Sequence, residues 1–160
     1  MAPKAAHIIE LAKGAGVTLA TAESVTGGMV CETLVSVAGA SAVVRGGIVA
    51  YHSDVKISAL GVNPLLIERE GPVAHSVAIE MARGALRVCG ADVAVATTGV
   101  AGPEPHGGSA PGTVVIAVVG PGVDRVTTVH IEGDRDDVMH GAVDAAIDYL
   151  AQALSSLDLR

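Results

Sequence analysis

A single three-layer α/β/α domain, with helices on both faces of a mixed parallel/antiparallel sheet, is the α/β fold class this chain predicts. Three observations carry that prediction. Short β-type apolar runs alternate with segments of helical apolar spacing over most of the chain, the pattern of strands joined by helical crossovers. Toward the carboxy end two β-type runs, Thr113 to Val119 and Arg125 to Ile131, are separated by little more than Pro121-Gly122, which marks an antiparallel hairpin. No linker, repeat or low-complexity stretch divides the 160 residues, a length that suits one domain with its own core.

Taken in order, Pro3 followed by Ala5, Ile8, Ile9 and Ala12 opens a first helix that Gly14 to Gly16 stops. Val17 to Thr21 reads as a buried strand, and the spacing of apolar residues from Met29 to Val37 as the body of a helix beginning near Thr26. Ala42 to Tyr51 is a second apolar run, and its Gly46-Gly47 interruption suggests a bulge or a close backbone approach. Ser53 can cap a short helix from Asp54 to Leu60, with Lys56 in its first turns. Asn63-Pro64 opens a further helical piece to about Glu70. Ser76 to Cys89 is a longer helix with Val77, Met81, Ala85 and Val88 on one face. Asp92 to Thr98 is a third strand, and the Gly- and Pro-rich loop Gly99 to Pro111 leads into the hairpin. The closing helix runs from about Arg135 to Ser155 on a stripe of Val138, Ala142, Ala145, Ala146, Tyr149 and Leu150.

With two Tyr and neither Trp nor Phe, the core must be built of Val, Ala, Leu and Ile, which suits closely approaching layers. The mean hydropathy of +0.53 is an alanine and valine effect. The apolar stretches are broken by Gly, Thr or charge and no signal peptide is evident, so a soluble cytoplasmic protein without membrane contact is expected. A formal charge of −7 argues against a nucleic-acid surface, which needs a basic stripe to neutralise phosphates. Cys31 and Cys89 lack the spacing of a metal or redox pair and read as reduced, buried thiols with no bridge. No Cys/His/carboxylate group has zinc spacing and there is no Walker or dinucleotide glycine motif, so no metal or cofactor is expected.

The most informative stretch is Ala22-Glu23-Ser24-Val25-Thr26-Gly27-Gly28, a hydroxyl between a strand and a glycine-softened helix start. Two readings compete. Ser24 or Thr26 caps the helix, or Ser24 is a nucleophile beside exposed N–H groups from Val25 to Gly28 that stabilise developing negative charge.

Ser24-Val25-Thr26-Gly27-Gly28, Gly46-Gly47-Ile48-Val49-Ala50-Tyr51 with Lys56, and Thr97-Thr98-Gly99-Val100-Ala101-Gly102-Pro103 are three stretches in fixed order. In order and spacing they resemble the carboxy-terminal domain of the competence-damage-inducible protein family, the nicotinamide mononucleotide deamidase module, over Leu11 to about Leu154. The resemblance implies hydrolysis of the carboxamide of nicotinamide mononucleotide to nicotinate mononucleotide and ammonia, by a standalone form of the module. It implies a catalytic set of Ser24, Tyr51 and Lys56, with Lys56 activating Ser24 and the Tyr51 phenol relaying a proton to ammonia. It also implies that Thr98 contacts substrate and that Gly39 lies near the ligand. Thr26, Gly27, Gly28, Gly99 and Arg135 complete the expected oxyanion and substrate-binding set.

The chemistry such a set must perform is demanding. An amide is a poor electrophile with a poor leaving group, so an acyl-enzyme route needs an activated nucleophile, a proton shuttle, an oxyanion site and a substrate grip. Lysine serves as base only if burial or a neighbouring cation lowers its pKa from about 10.4. Without the resemblance, Lys56 reads as a solvated helix lysine, Tyr51 as a strand-end anchor, and His52 as a rival base. The chain departs from the family pattern where Gly133-Asp134-Arg135 is followed by Met139 instead of an arginine, leaving Arg135 or Arg45 for that role. The loop Glu104 to Ala110 also lacks a lysine many relatives carry. A binding-only relative and a serine-lysine hydrolase of another small amide or ester are the rival functions. A homodimer or higher homo-oligomer is expected, with its seam on Met29 to Val37 or on the closing helix.

Overall fold

Gly16 adopts the left-handed conformation, φ 66°, and its N–H returns to the Ala12 and Lys13 carbonyls, which ends the first helix and turns the chain toward the sheet. The computed structural model describes residues 1–157. In it α1 (Ala2–Ala15) is followed by β1 (Leu19–Glu23), α2 (Met29–Val35), β2 (Val44–Val49), α3 (Ser53–Leu60), α4 (Pro64–Glu70) and α5 (His75–Cys89). Then come β3 (Val93–Gly99), β4 (Thr113–Gly120), β5 (Val123–His130) and α6 (Arg135–Ser155). The strands form one sheet in the order β2-β1-β3-β4-β5. β1 is parallel to both β2 and β3, while β3, β4 and β5 run antiparallel in turn, so the sheet is mixed.

Alternation along the central strands divides the core in two. Leu19, Val93, Val95, Val114, Ile116 and Val118 face α1, α2 and α6. Ala20, Ala22, Ala94, Ala96, Val115 and Ala117 face the other way, against Val77, Ala78, Met81, Ala82 and Ala85 of α5. One side interdigitates large aliphatics, and the other lets α5 ride close over an alanine surface. The apolar stripe of α6 is used inside the chain: Val138, Ala142, Ala146, Ile147 and Leu150 are buried in the larger cluster, as are Val30 and Leu34 of α2.

Several elements are displaced from their expected bounds for local reasons. β1 runs to Glu23, two residues beyond the expected end, because the glutamate finds partners inside the fold. α2 starts at Met29, because Gly27 and Gly28 sit at φ 60° and 104° and hold residues 24–28 in a turn. Ser53 is the first helical residue of α3 and makes no cap; His52 occupies that position. The irregularity expected at Gly46-Gly47 is a register shift one residue earlier, where Leu19 opposes Val44 and Ala20 opposes Gly46. Cys31 and Cys89 are free thiols, half-buried instead of buried. They lie on opposite faces of β2, beside Gly47 and Gly46 respectively.

Candidate active site

Ser24 leaves the carboxy end of β1 still anchored to the sheet, its N–H donating to the Thr97 carbonyl of β3 at 2.9 Å. The neighbouring β2 end is tied in by Ala50 N–H to the Glu23 carbonyl, 2.8 Å. That stitch matters because the chain turns there into α3, whose Lys56 reaches back over the same point. Lys56 Nζ lies 2.9 Å from Ser24 Oγ, and donates also to the carbonyls of Ala50 at 3.1 Å and Tyr51 at 3.3 Å. The Ser24 hydroxyl makes a longer contact, 3.4 Å, to the Tyr51 carbonyl.

Lys56 is 2% exposed. Its three acceptors are neutral, and among the described residues no carboxylate pairs with it. Burial therefore penalises the ammonium form without compensation and lowers the pKa from 10.5 to about 8. A lysine near that value is partly neutral at physiological pH, and a neutral amine can accept the hydroxyl proton.

Ser24 and Lys56 open onto a cavity of about 380 Å³, within the range that holds small ligands. Thr98, Gly99, Arg135, His52 and His106 also line it. Glu104 is the one carboxylate among the lining residues, with buried Lys56 on the floor and exposed Arg135 at the rim. Thr98 donates its hydroxyl to the Pro72 carbonyl at 2.8 Å. A Cβ at Gly99 would come 2.6 Å from the Thr113 carbonyl oxygen, so the wall here admits only glycine. Val25 lines the cavity, and among the described residues the N–H groups of Val25 and Thr26 make no hydrogen bond.

The sequence-derived set divides in this geometry. Ser24, Lys56, Thr98, Gly99, Arg135 and Tyr51 converge on the cavity. Tyr51 does so in an unexpected way: its carbonyl meets Lys56, while its phenol stands exposed and accepts from Arg135 Nη2 at 2.8 Å. Arg135 Nη1 donates to the Gly102 carbonyl at 2.9 Å, so the guanidinium spans the rim between the β2–α3 connection and the loop after β3. Among the described residues the phenol makes no hydrogen bond to Ser24 or Lys56. His52, the rival base, is turned to Asp54 on the surface.

Four of the expected site residues, Thr26, Gly27, Gly28 and Gly39, do not line the cavity. Thr26 is fully buried, bonded at 2.7 Å to both Glu23 Oε1 and Thr97 Oγ1, and does not line the cavity. The Gly27 N–H is spent on the Ser24 carbonyl at 3.1 Å, and neither Gly27 nor Gly28 reaches the cavity wall. Gly39 lies beyond the far end of α2, with Lys13 Nζ 3.2 Å from where its Cβ would stand, at the amino-terminal end of β1 and β2, opposite the end that carries Ser24. It is there because α2 runs antiparallel to β1 and carries the chain back to the start of β2. Met139, at the position of the expected second arginine, packs against the larger core cluster.

Sequence reasoning missed Glu23 and Thr97, both buried beneath the Ser24 turn. A signal existed for Glu23: a strand puts residues two apart on one face, so Thr21 and Glu23 point together toward the side that receives α2.

A family model described as the CinA C-terminal domain matches residues 1–154. The chain belongs to the CinA C-terminal domain family. A CinA-like protein of Frankia casuarinae is 44% identical over 140 residues, covering 88% of this chain and 32% of its own length. One from Geotalea daltonii is 42% identical over 147 residues, covering 90% and 35%. The chain thus spans about a third of the length of these curated CinA relatives. Among solved structures, a competence-damaged protein (CinA) superfamily protein from Klebsiella pneumoniae superposes with a TM-score of 0.93 at 29% identity, over 97% of this chain and 98% of that one. Another from Escherichia coli gives 0.91 at 32% identity, over 94% and 88%.

Proposed function

We propose that the chain is an amidohydrolase that deamidates nicotinamide mononucleotide to nicotinate mononucleotide and ammonia through a serine nucleophile, in recycling of pyridine nucleotides. The observation that carries this reading is the 2.9 Å contact between Ser24 Oγ and the buried, depressed-pKa Lys56 Nζ at the floor of the cavity. The substrate itself comes from the family resemblance of the three motifs, which is specific in order and spacing.

Neutral Lys56 takes the hydroxyl proton as Ser24 Oγ attacks the carboxamide carbon. The N–H group of Val25, on the cavity wall, stabilises the oxyanion, such a donor contributing about 10²–10³ in turnover. Lys56 then returns the proton to the departing nitrogen, ammonia leaves, and an acyl ester remains on Ser24. Water, deprotonated by the same amine, hydrolyses that ester to the carboxylate product. Arg135 and Tyr51 at the rim grip the nucleotide's polar end, and Thr98 and Gly99 form the wall along which it lies.

Ammonia release from nicotinamide mononucleotide by the purified protein tests this directly. Lys56→Ala should lower kcat by about 10²–10⁴, the usual contribution of a positioned proton-transfer group, and Ser24→Ala, which removes the nucleophile, by about 10⁶. The rate of the unmodified protein should rise with pH through a midpoint near 8, where Lys56 loses its proton. No ammonia from a folded sample, with turnover of another small amide or ester dependent on Ser24, would reassign the substrate. Ligand binding without turnover of any of these would make the chain a binding-only relative.

A further inference from the structure

Glu23 and Lys56 are the two buried charged side chains among the described residues, and they do not pair with one another. Lys56 turns to Ser24, whereas Glu23, 1% exposed and next to Ser24 in the chain, turns beneath it. Its Oε1 accepts from Thr26 Oγ1 at 2.7 Å and the Val30 N–H at 2.8 Å. Its Oε2 accepts from Thr21 Oγ1 at 3.0 Å and the Cys31 N–H at 2.9 Å. Thr26 continues the network to Thr97 Oγ1, and Thr97 in turn holds the Ser24 N–H through its carbonyl. A carboxylate costs several kcal/mol to bury unless its lone pairs are satisfied. Here four donors do so, two of them amides of the first turn of α2. That negative charge also occupies the positive end of α2, so the helix start offers nothing to a ligand anion.

We propose that Glu23 is a positioning residue for Ser24: by tying Thr21, Thr26 and the first turn of α2 to one carboxylate, it holds the 24–28 turn so that Ser24 Oγ stays in line with Lys56. The proposal rests on the reading of Ser24 as a nucleophile activated by Lys56. It does not depend on which amide is the substrate. Each carboxylate oxygen faces a backbone N–H, a donor that cannot reverse. Glu23→Gln therefore sets an amide NH₂ against one of those N–H groups whichever way it turns, and loosens the turn without changing its volume.

The test is the rate at which a fluorophosphonate labels Ser24, followed by intact mass across pH. In that reaction the Ser24 oxygen bonds phosphorus, fluoride leaves, and Lys56 takes the proton. Glu23→Gln should lower the plateau rate by about 10², the effect of a displacement near 1 Å. The pH midpoint should stay near 8, because Lys56 remains buried and burial is what lowers its pKa. A general loss of structure would instead admit water to Lys56 and move the midpoint upward.

Thr26→Val, which removes one tie and keeps the carboxylate, should slow labelling by about tenfold. It decides the matter if Glu23→Gln fails to fold. Labelling within twofold of the unmodified rate in a folded variant overturns the proposal while leaving deamidation intact. Labelling that falls as expected in a protein releasing no ammonia from nicotinamide mononucleotide overturns the substrate assignment alone. No labelling of the unmodified protein overturns both.

Discussion

Lys56 carries the largest electrostatic cost visible at the level of a single residue. Its pKa is depressed in the folded state, so the unfolded chain binds more protons than the native one between about 8 and 10.5. Stability from this group is therefore lowest below pH 8 and recovers as pH rises through that window. The difference amounts to at most about 3 kcal/mol. Lys56→Met should abolish proton transfer to and from Ser24 yet be more stable than the unmodified protein near pH 7. Part of that gain is lost because the Ala50 and Tyr51 carbonyls forfeit a donor. The margin between variant and unmodified protein should shrink between pH 8 and 10, measured by urea unfolding. A margin that does not change with pH would mean that Lys56 titrates normally. Chemistry and stability are thus opposed at one side chain, as expected where a buried group is kept for proton transfer.

At the scale of elements, what aims Lys56 is the seat of α3 on α5. Leu60, the last residue of α3, is buried, and its backbone rests on α5 at Gly84, where a Cβ would overlap the Leu60 carbonyl oxygen. Arg87 of α5 donates to that same carbonyl at 2.8 Å. Gly84→Ala should push α3 outward and cost about 1–3 kcal/mol, the usual penalty of overpacking. It should also slow Ser24 labelling, although Gly84 lies well outside the cavity. Unchanged unfolding together with unchanged labelling would show that α3 is not held by this contact. Elements with strong local signals were legible in the order of residues: Asn63 before Pro64, whose side chain caps the Leu65 N–H at 2.9 Å, the Pro121-Gly122 hairpin, and the start of α6 at Arg135. The start of α2 was not, since Gly27 and Gly28 look merely permissive in sequence and become a break only in the conformation the turn imposes.

For the whole molecule, the asymmetry between the two sheet faces is the organising fact. Alanines at 20, 22, 94, 96 and 117 let α5 approach closely. α5 in turn carries α3, and β3 runs on into Thr98 and the cavity wall, so the spacing of one layer sets the geometry of the site. Ala96→Leu should cost about 1–3 kcal/mol or more by forcing α5 from the sheet. It should weaken ligand binding along with stability. A neutral result would mean that the alanine face holds unused space.

The alternation of strand and helix patterns, the hairpin and the three ordered motifs were legible in the sequence because each depends on periodicity or turn chemistry among near neighbours. Ser24 as nucleophile stands on that basis as one of two readings, and Lys56 is named only through the family resemblance of the motifs. Their contact is not legible there: it joins residues 32 apart and needs the β1–β2 pairing and the α3–α5 packing to form. The same holds for the Glu23 carboxylate, for the Tyr51 phenol turned to Arg135, and for Gly39 carried to the amino-terminal end of the parallel strands. A residue type limits the chemistry a position can offer. Burial, and the partners that burial brings within reach, decide whether a lysine is a solvated cation or a base and whether a glutamate is a surface charge or the anchor of a turn. Those partners come from other elements, so only the tertiary structure supplies them.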